Sequence, residues 1–371
     1  MVWILVVLLL AKAGAADLGT APALGWRPTV LPLLSFSSDE GTGYGIRASL
    51  FRYNGSTAPY AAALSAQAFA TSGGRAAHRL YLDLPGWRSG ERLEIEILYE
   101  RINYANFYGG LSDRAVEDLL QGGAVGSRRG RTTFRQVYPR LTAMWLRTLA
   151  GPWVWRTGAQ LGHCQITANG EAGNLLVQLH PLGRDGGLLV MGNIGLRRDS
   201  RDDYNDSRRG LFDEILLEYG GGRGGSYRGG RLGLDHRHFL PLPGGLVLAQ
   251  RLGATLAFGA LPFYEYPALG GDDTVRGLLE ARERERGRLL ANLELRWPGW
   301  APFRGLPMRG GLLFFADAGQ SFARGAGPSW RGWRSGLGLG ARGHWHGTIA
   351  RLDLGHSAGR LGVYLKFSQV F

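Results

Sequence analysis

Apolar and polar residues alternate with a period of two over stretches of about ten residues, the spacing at which successive side chains of a strand point to opposite faces. In Arg92–Glu100, Leu93, Ile95, Ile97 and Tyr99 fall on one face and Arg92, Glu94, Glu96 and Glu100 on the other. In Arg288–Trp297, Leu289, Ala291, Leu293, Leu295 and Trp297 oppose Arg288, Asn292, Glu294 and Arg296, with Trp297 placed at an interfacial girdle. A helix would mix these sets. Hairpin punctuation rich in Gly, Pro, Asn and Ser separates such segments. The pattern predicts sixteen strands, near 29–37, 44–53, 60–71, 77–84, 91–102, 133–148, 153–165, 187–198, 210–219, 226–238, 246–258, 287–297, 308–318, 334–345, 348–356 and 361–371.

A soluble β-sandwich also alternates, but its strands average nearer five or six residues. Strands of about ten residues, aromatic residues at their ends and charges of both signs on the polar face favour a transmembrane barrel, for which an even strand count is expected. The fold class expected is all-β: an antiparallel transmembrane β-barrel of about sixteen strands. If the first strand runs outward, the short links at 85–90, 150–152, 240–244 and 346–347 are periplasmic turns. The long links near 104–132, 166–186, 259–286 and 319–333 are then external loops.

Composition and charge narrow this picture. Val2 to Ala11 is an unbroken apolar run followed by Lys12 and the small residues Ala13, Gly14, Ala15 and Ala16. That reads as a signal peptide over residues 1–16, although no Lys or Arg precedes the run; a membrane anchor would need roughly 18 apolar residues. Residues 17–28 are expected to form a short N-terminal segment and 29–371 the barrel, in the bacterial outer membrane. The lone Cys164 excludes an intramolecular disulfide and a multi-cysteine zinc site. The net charge of +13 is spread along the chain rather than gathered in a stripe, which disfavours nucleic acid as a partner. Sixty glycines and eleven tryptophans accompany a nearly neutral mean hydropathy, the average of a lipid-facing and a water-facing side.

Four stretches carry a family resemblance. Phe263 and Tyr264 precede Gly270, Gly271, Asp272, Asp273, Thr274, Val275, Arg276, Gly277 and Leu278; Phe315, Ala316, Asp317, Ala318 and Gly319 follow. Upstream stand Asp199, Ser200, Arg201 and Asp202 with Arg209 and Gly210, and Asn106, Phe107, Tyr108, Gly109 and Gly110. In this order they resemble the V-R-G loop, the F-x-D-x-G strand, the D-x-R-D turn and the F-Y-G-x-G loop of the bacterial surface antigen family. That family's barrel is shared by outer-membrane insertases and two-partner secretion transporters.

The resemblance implies a V-R-G loop folded into the lumen, with Arg276 paired to Asp317 on the thirteenth strand. It makes the Asp199–Gly210 turn a periplasmic motif and the C-terminal Phe371 a sorting signal read by the outer-membrane assembly machinery. Gln369 interrupts the apolar series of that last strand. Strand parity agrees for Asp317, since Leu312, Phe314, Ala316 and Ala318 form the lipid-compatible face. Without the family pattern Arg276 reads as a solvated loop residue. The family's periplasmic POTRA domains do not fit within Asp17–Pro28, so the chain resembles a POTRA-less member.

Other constellations read as structural. Asp199, Asp202, Asp203 and Asp206 interleave with arginines and lack the terminal Glu of a calcium loop, so they read as a solvated turn. His163, His180, His236, His238, His344 and His346 form no Ser–His–acid order, and no catalysis, cofactor or metal is expected. The run Glu280, Arg282, Glu283, Arg284, Glu285 and Arg286 reads as a solvated hairpin stem. The function implied is outer-membrane protein or lipid assembly or translocation, with lipid and unfolded outer-membrane proteins as partners. A passive pore lined by Arg and Glu and a purely structural barrel are the alternatives.

Overall fold

The computed structural model describes residues 24–121, 128–170, 173–223, 227–300, 308–323, 325–345, 348–367 and 370–371. The expected signal peptide over 1–16 and Gln369 lie outside them. Sixteen antiparallel strands close into one barrel. They are β1 (Gly25–Ser37), β2 (Gly41–Tyr53), β3 (Ala62–Thr71), β4 (Arg75–Arg88), β5 (Glu91–Asn106), β6 (Thr133–Thr148), β7 (Trp153–Ala168), β8 (Gly187–Asp199), β9 (Gly210–Arg223), β10 (Arg228–Pro241), β11 (Val247–Ala260), β14 (Gly287–Trp300), β15 (Met308–Phe322), β16 (Arg334–Trp345), β17 (Thr348–Ser357) and β18 (Arg360–Lys366). Two further strands, β12 (Ala268–Leu269) and β13 (Glu283–Arg284), pair with each other off the wall, so the thirteenth wall strand is β15. Short helices α1 (Asp113–Gln121), α2 (Arg128–Thr132) and α3 (Leu175–Leu179) sit in the long connections at one end. Among the described residues no helix is long and apolar enough to cross a membrane.

Each strand pairs with its neighbours in sequence, a plain meander that a two-faced pattern with short turns specifies directly. The polarity of the wall is inverted relative to a soluble protein. On β14, Leu293 and Leu295 are 43% and 39% exposed on the outside while Glu294 between them is fully buried. Leu80, Ile97, Leu141, Leu161, Leu217, Leu234, Leu252, Phe314 and Leu339 continue the exposed apolar band around the barrel. A wall with apolar residues outside and charges inside is stable only in lipid, where pairing between neighbouring strands supplies the backbone hydrogen bonds that hydrocarbon cannot.

Both ends of the sheet differ from the sequence expectation. β1 starts at Gly25, so residues 25–28 pair with Leu50–Tyr53 and belong to the wall, although Trp26, Arg27 and Pro28 show no alternation to reveal it. β18 stops at Lys366 rather than running to 371. The seam it forms with β1 is correspondingly short. β1 meets β2 over thirteen residue pairs, from Gly25↔Tyr53 to Ser37↔Gly41, but meets β18 only at Phe36↔Leu365 and Ser37↔Tyr364. Among the described residues, the edge of β1 from Gly25 to Ser35 therefore has no ladder partner on that side.

Candidate functional site

The connection between β11 and β14 is the polar centre of the molecule. Phe263 and Tyr264 are buried, and Phe263 packs edge-on against Phe107 and Phe134, with ring centroids 5.1 and 5.4 Å apart. The β12–β13 pair then forms the stem, with Ala268 opposite Arg284 and Leu269 opposite Glu283. Its tip turns on Gly270, Gly271 and Gly277, all at positive φ. At Gly277 a Cβ would lie 2.6 Å from the backbone nitrogen of Ser357 on β17, so the turn fits the wall only without a side chain.

Arg276 is completely buried and meets three strands at once. Its Nε and Nη2 donate to Asp317 Oδ2 and Oδ1 on β15 at 2.8 and 2.9 Å, a bidentate pair. Its Nη1 donates to Glu294 on β14 at 2.7 Å and to Asp353 on β17 at 3.2 Å. The guanidinium lies 3.4 Å from the ring centre of Phe315. Arg296 balances Glu294 at 2.7 Å and Arg342 balances Asp353 at 2.5 Å, so the cluster is an alternating lattice of charge. Asn292 donates to Asp317 and to the carbonyl of Thr274 on the loop, while Val275 is wholly buried. Gly319 on β15 leaves room beside Val275 and Leu269 that a Cβ would invade. Burial works against the charge on Arg276, and Glu294, Asp317 and Asp353 outweigh it and hold the guanidinium firmly protonated.

Further contacts tie the loop to the seam. Asp272 bridges Arg351 on β17 and Lys366 on β18, the latter at 2.8 Å, and these cations hold its carboxyl below the usual range despite burial. Arg360 at the start of β18 donates to the carbonyl of Gly277 and to Asp39 in the β1–β2 turn at 2.8 Å. The hydroxyl of Tyr364 on β18 accepts from the backbone nitrogen of Gly277 at 3.1 Å. The seam is thus closed at one end by the loop itself.

The charge run 280–286 is a hairpin stem, but it is half-buried and ion-paired rather than freely solvated, with Arg282 buried. Arg282 stacks over Tyr108 at 4.4 Å and pairs with Asp113, Glu283 pairs with Arg334 at 2.6 Å, and Arg284 donates to the carbonyl of Tyr264. Asn106 donates to the carbonyl of Glu280 at 2.8 Å, so the F-Y-G stretch and the V-R-G loop are one packed unit. Beside it lies a cavity of about 720 Å³ whose lining includes Asp39, Glu40, Arg75, Tyr108, Glu280 and Arg360.

Glu280 gives this cavity a pH response. Its carboxyl is pushed up to about 7, first by burial, then by Glu40, with Asp39 and Asp272 adding and Arg75 at 3.7 Å opposing. The docked loop therefore favours the protonated form: docking is strongest below the ordinary carboxyl value and loosens as pH rises through about 7. Since the side chain is 42% open to the cavity, solvent screens the effect and the loosening is small. Relative to a free thiol measured at the same pH, a cysteine placed at Ala281 should react faster with a soluble thiol reagent at about pH 8 than at about pH 6. Glu280→Gln should flatten that difference; an unchanged pH response in this variant would contradict the assignment.

Other sequence-predicted residues lie apart from this cluster. Asp199 holds Arg201 through a bidentate pair at 2.9 and 2.8 Å. Asp202 accepts the backbone nitrogens of Arg208 and Arg209, and Gly210 turns the chain into β9 at a φ of 107°. Asp206 in this turn reaches His344 on β16 at 3.3 Å, and among the described residues the turn touches none of the V-R-G residues. Phe371 does not extend an outward strand. It is buried against Phe239 on β10 and Ala249 on β11, and its carbonyl accepts from Arg296 at 3.3 Å. The residues missed from sequence are Glu294, Asp353, Arg296, Arg342 and Asp272. Glu294 and Arg296 stood on the correct face of the pattern, but parity gives a face and not the position around the barrel at which a loop lands.

A family model for the Omp85 superfamily domain matches residues 129–353. Among solved structures the chain is similar to BamA from Haemophilus ducreyi lacking POTRA domains 1–3, at 13% identity over 92% of this chain and 70% of that chain, with a TM-score of 0.64. It is similar to CdiB from Acinetobacter baumannii at 14% identity over 94% of this chain and 60% of that one, with a TM-score of 0.57. For CdiB from Escherichia coli the values are 11%, 94%, 63% and 0.62. The chain thus spans less than two thirds of either CdiB chain, and at these identities the likeness is one of fold. No curated protein matches the chain.

Proposed function

We propose that this chain, which belongs to the Omp85 superfamily, acts in the bacterial outer membrane in the insertion or translocation of outer-membrane proteins or lipids, with the β1–β18 seam as its working edge. The observation that carries this reading is the imbalance of the seam, two residue pairs against thirteen on the other side of β1. An unpaired strand edge is a template for another strand, and natural proteins normally cover it. Here the edge opens toward lipid, where an incoming strand gains backbone hydrogen bonds that hydrocarbon cannot supply.

On this reading the V-R-G hairpin is a fixed insert in the lumen. Arg276 sets its position, and the links from Asp272 and Arg360 to β18 transmit that position to the seam. A passive pore would need an open lumen, and the hairpin contacts on β14, β15 and β17 speak against one. The Asp199–Gly210 turn is then the periplasmic turn, residues 1–16 direct export, and Phe371 is read by the assembly machinery before it packs inside the finished barrel.

Depletion of the chain from its host is the direct test. Outer-membrane β-barrel proteins or outer-membrane lipids should fall while inner-membrane components stay level. Normal amounts of both after depletion would overturn the proposal.

A further inference from the structure

Arg198, Asp213, His236 and His238 form a polar cluster on the outward face of the wall. On β8 the exposed series Leu188, Val190 and Ile194 fixes the outward parity, which carries on to Leu196 and Arg198. By the same rule Asp213 lies outside on β9, below Ile215 and Leu217, and His236 and His238 lie outside on β10, below Leu232 and Leu234. They are neighbours across the sheet: Arg198 is registered with Asp213, and Asp213 with His236. His236 Nδ1 is 2.6 Å from Asp213 Oδ1, Arg198 Nη1 is 3.7 Å from Asp213 Oδ2, and the two imidazoles are 6.4 Å apart.

Their depth follows from register. Trp153, paired with Arg198, and Trp297, two residues beyond the Leu295↔Leu248 pair, mark the girdle near one end of the strands. Gln250↔His238 is the next outward row inward from Leu248, and Leu252↔His236 the one after. At about 3.3 Å per residue on tilted strands, His236 sits roughly 15 Å inside Trp297, in the register row that runs through Asp213 and Arg198 to Trp153. Ionisable groups at that depth cost free energy unless they have a polar partner. Among the described residues, neither the imidazole of His238 nor the side-chain amide of Gln250 has a hydrogen-bond partner in the protein.

An apolar groove of about 670 Å³ starts at this cluster. It runs across the outer wall over Ile215, Leu234, Leu252, Ala254 and Ala291, with Trp153 and Trp333 also in its lining, and Asp213 and His236 at its polar edge. A shallow apolar groove with polar groups at one edge can take an acyl chain along its floor and a headgroup at that edge.

We infer that this surface is a binding site for one glycerophospholipid of the surrounding bilayer, its phosphate held by Arg198, His236 and His238 and an acyl chain lying in the groove. Asp213 orients His236, so that in its doubly protonated form the ring donates to Asp213 at Nδ1 and to a phosphate oxygen at Nε2. Arg198, Asp213 and that imidazolium together carry a single positive charge, which one phosphodiester neutralises. The same geometry favours an anionic headgroup over one whose phosphate is already paired with a tethered ammonium. This site is on the wall away from the seam and is independent of the function proposed above.

The test uses the full chain purified in detergent and incubated with phosphatidylglycerol and phosphatidylcholine, with retained lipids counted by native mass spectrometry. The wild-type barrel should retain one phosphatidylglycerol in preference to phosphatidylcholine. The triple variant R198Q/H236F/H238F should lower that occupancy about tenfold. Ala254→Trp, which fills the groove and leaves the charges in place, should lower retention of both lipids. Heat-modifiable gel migration of each variant identifies folded barrels, and only these are compared. Equal retention of the two lipids by the wild type, or unchanged phosphatidylglycerol retention by the folded triple variant, would overturn the site.

Discussion

Replacing Arg276 by alanine is expected to cost about 3–5 kcal/mol of barrel stability, the usual penalty when one partner of a buried ion cluster is removed and the others stay charged. The magnitude follows from what is left behind. Asp317 loses both charge-assisted bonds from the side chain, and Glu294 and Asp353 each lose one, all in places that water does not reach. Arg296 and Arg342 remain to balance Glu294 and Asp353, so Asp317 suffers most. Arg276→Lys keeps the charge but cannot fork onto Asp317 or stack flat on Phe315, and should cost about 1–3 kcal/mol. Denaturant midpoints of the two variants, followed through heat-modifiable migration, check the ranking. An alanine variant as stable as the parent would mean that the loop contributes nothing to holding the wall.

The second large effect concerns the seam. Phe36 and Leu365 are direct partners across it, and both project outward. Cysteines at these two positions should form a disulfide that locks β1 to β18, and the native Cys164, buried on another strand, stays out of the reaction. If the edge of β1 is where clients are handled, the oxidised double variant should fail to support cells depleted of the wild-type chain. The reduced form, and either single cysteine, should support them. Full activity of the oxidised form would mean that the barrel works without opening there.

How much of this was legible in the sequence depends on which force set each feature. The sixteen strands were readable because every one of them separates lipid from water, so a run such as Leu289–Trp297 repeats its polarity at each step. Asp317 was legible for the same reason, by its place among Leu312, Phe314 and Ala316. Arg276 needed the family resemblance, because a loop arginine has no parity of its own.

The rest was decided by tertiary contact. Glu294, Asp353 and Arg342 are ordinary inward residues until the loop arrives between them. The run from Glu280 to Arg286 has the composition of a solvated stem, and it is half-buried and paired only because Asp113, Arg334 and Tyr108 are brought from distant segments to meet it. Phe371 ends a segment whose preceding residues alternate correctly. Its turn into the interior is set by the surface of Phe239, Ala249 and Arg296, which no local pattern encodes.

These outliers connect into one path. Phe371 touches Arg296, Arg296 pairs with Glu294, and Glu294 with Arg276; from the same loop Asp272 and the carbonyl of Gly277 reach β18. The loop that occupies the interior and the strand that closes the barrel are thus held by shared residues. Displacing Arg276 should change the lumen and the seam together.

Single-channel conductance of the purified barrel in a planar bilayer, compared with its Arg276→Ala variant, tests that arrangement most directly. A lumen filled by an anchored hairpin predicts a wild-type barrel that is closed for most of the record, and a variant with frequent, large openings. A steady, selective conductance already present in the wild type and unaltered by Arg276→Ala would contradict it.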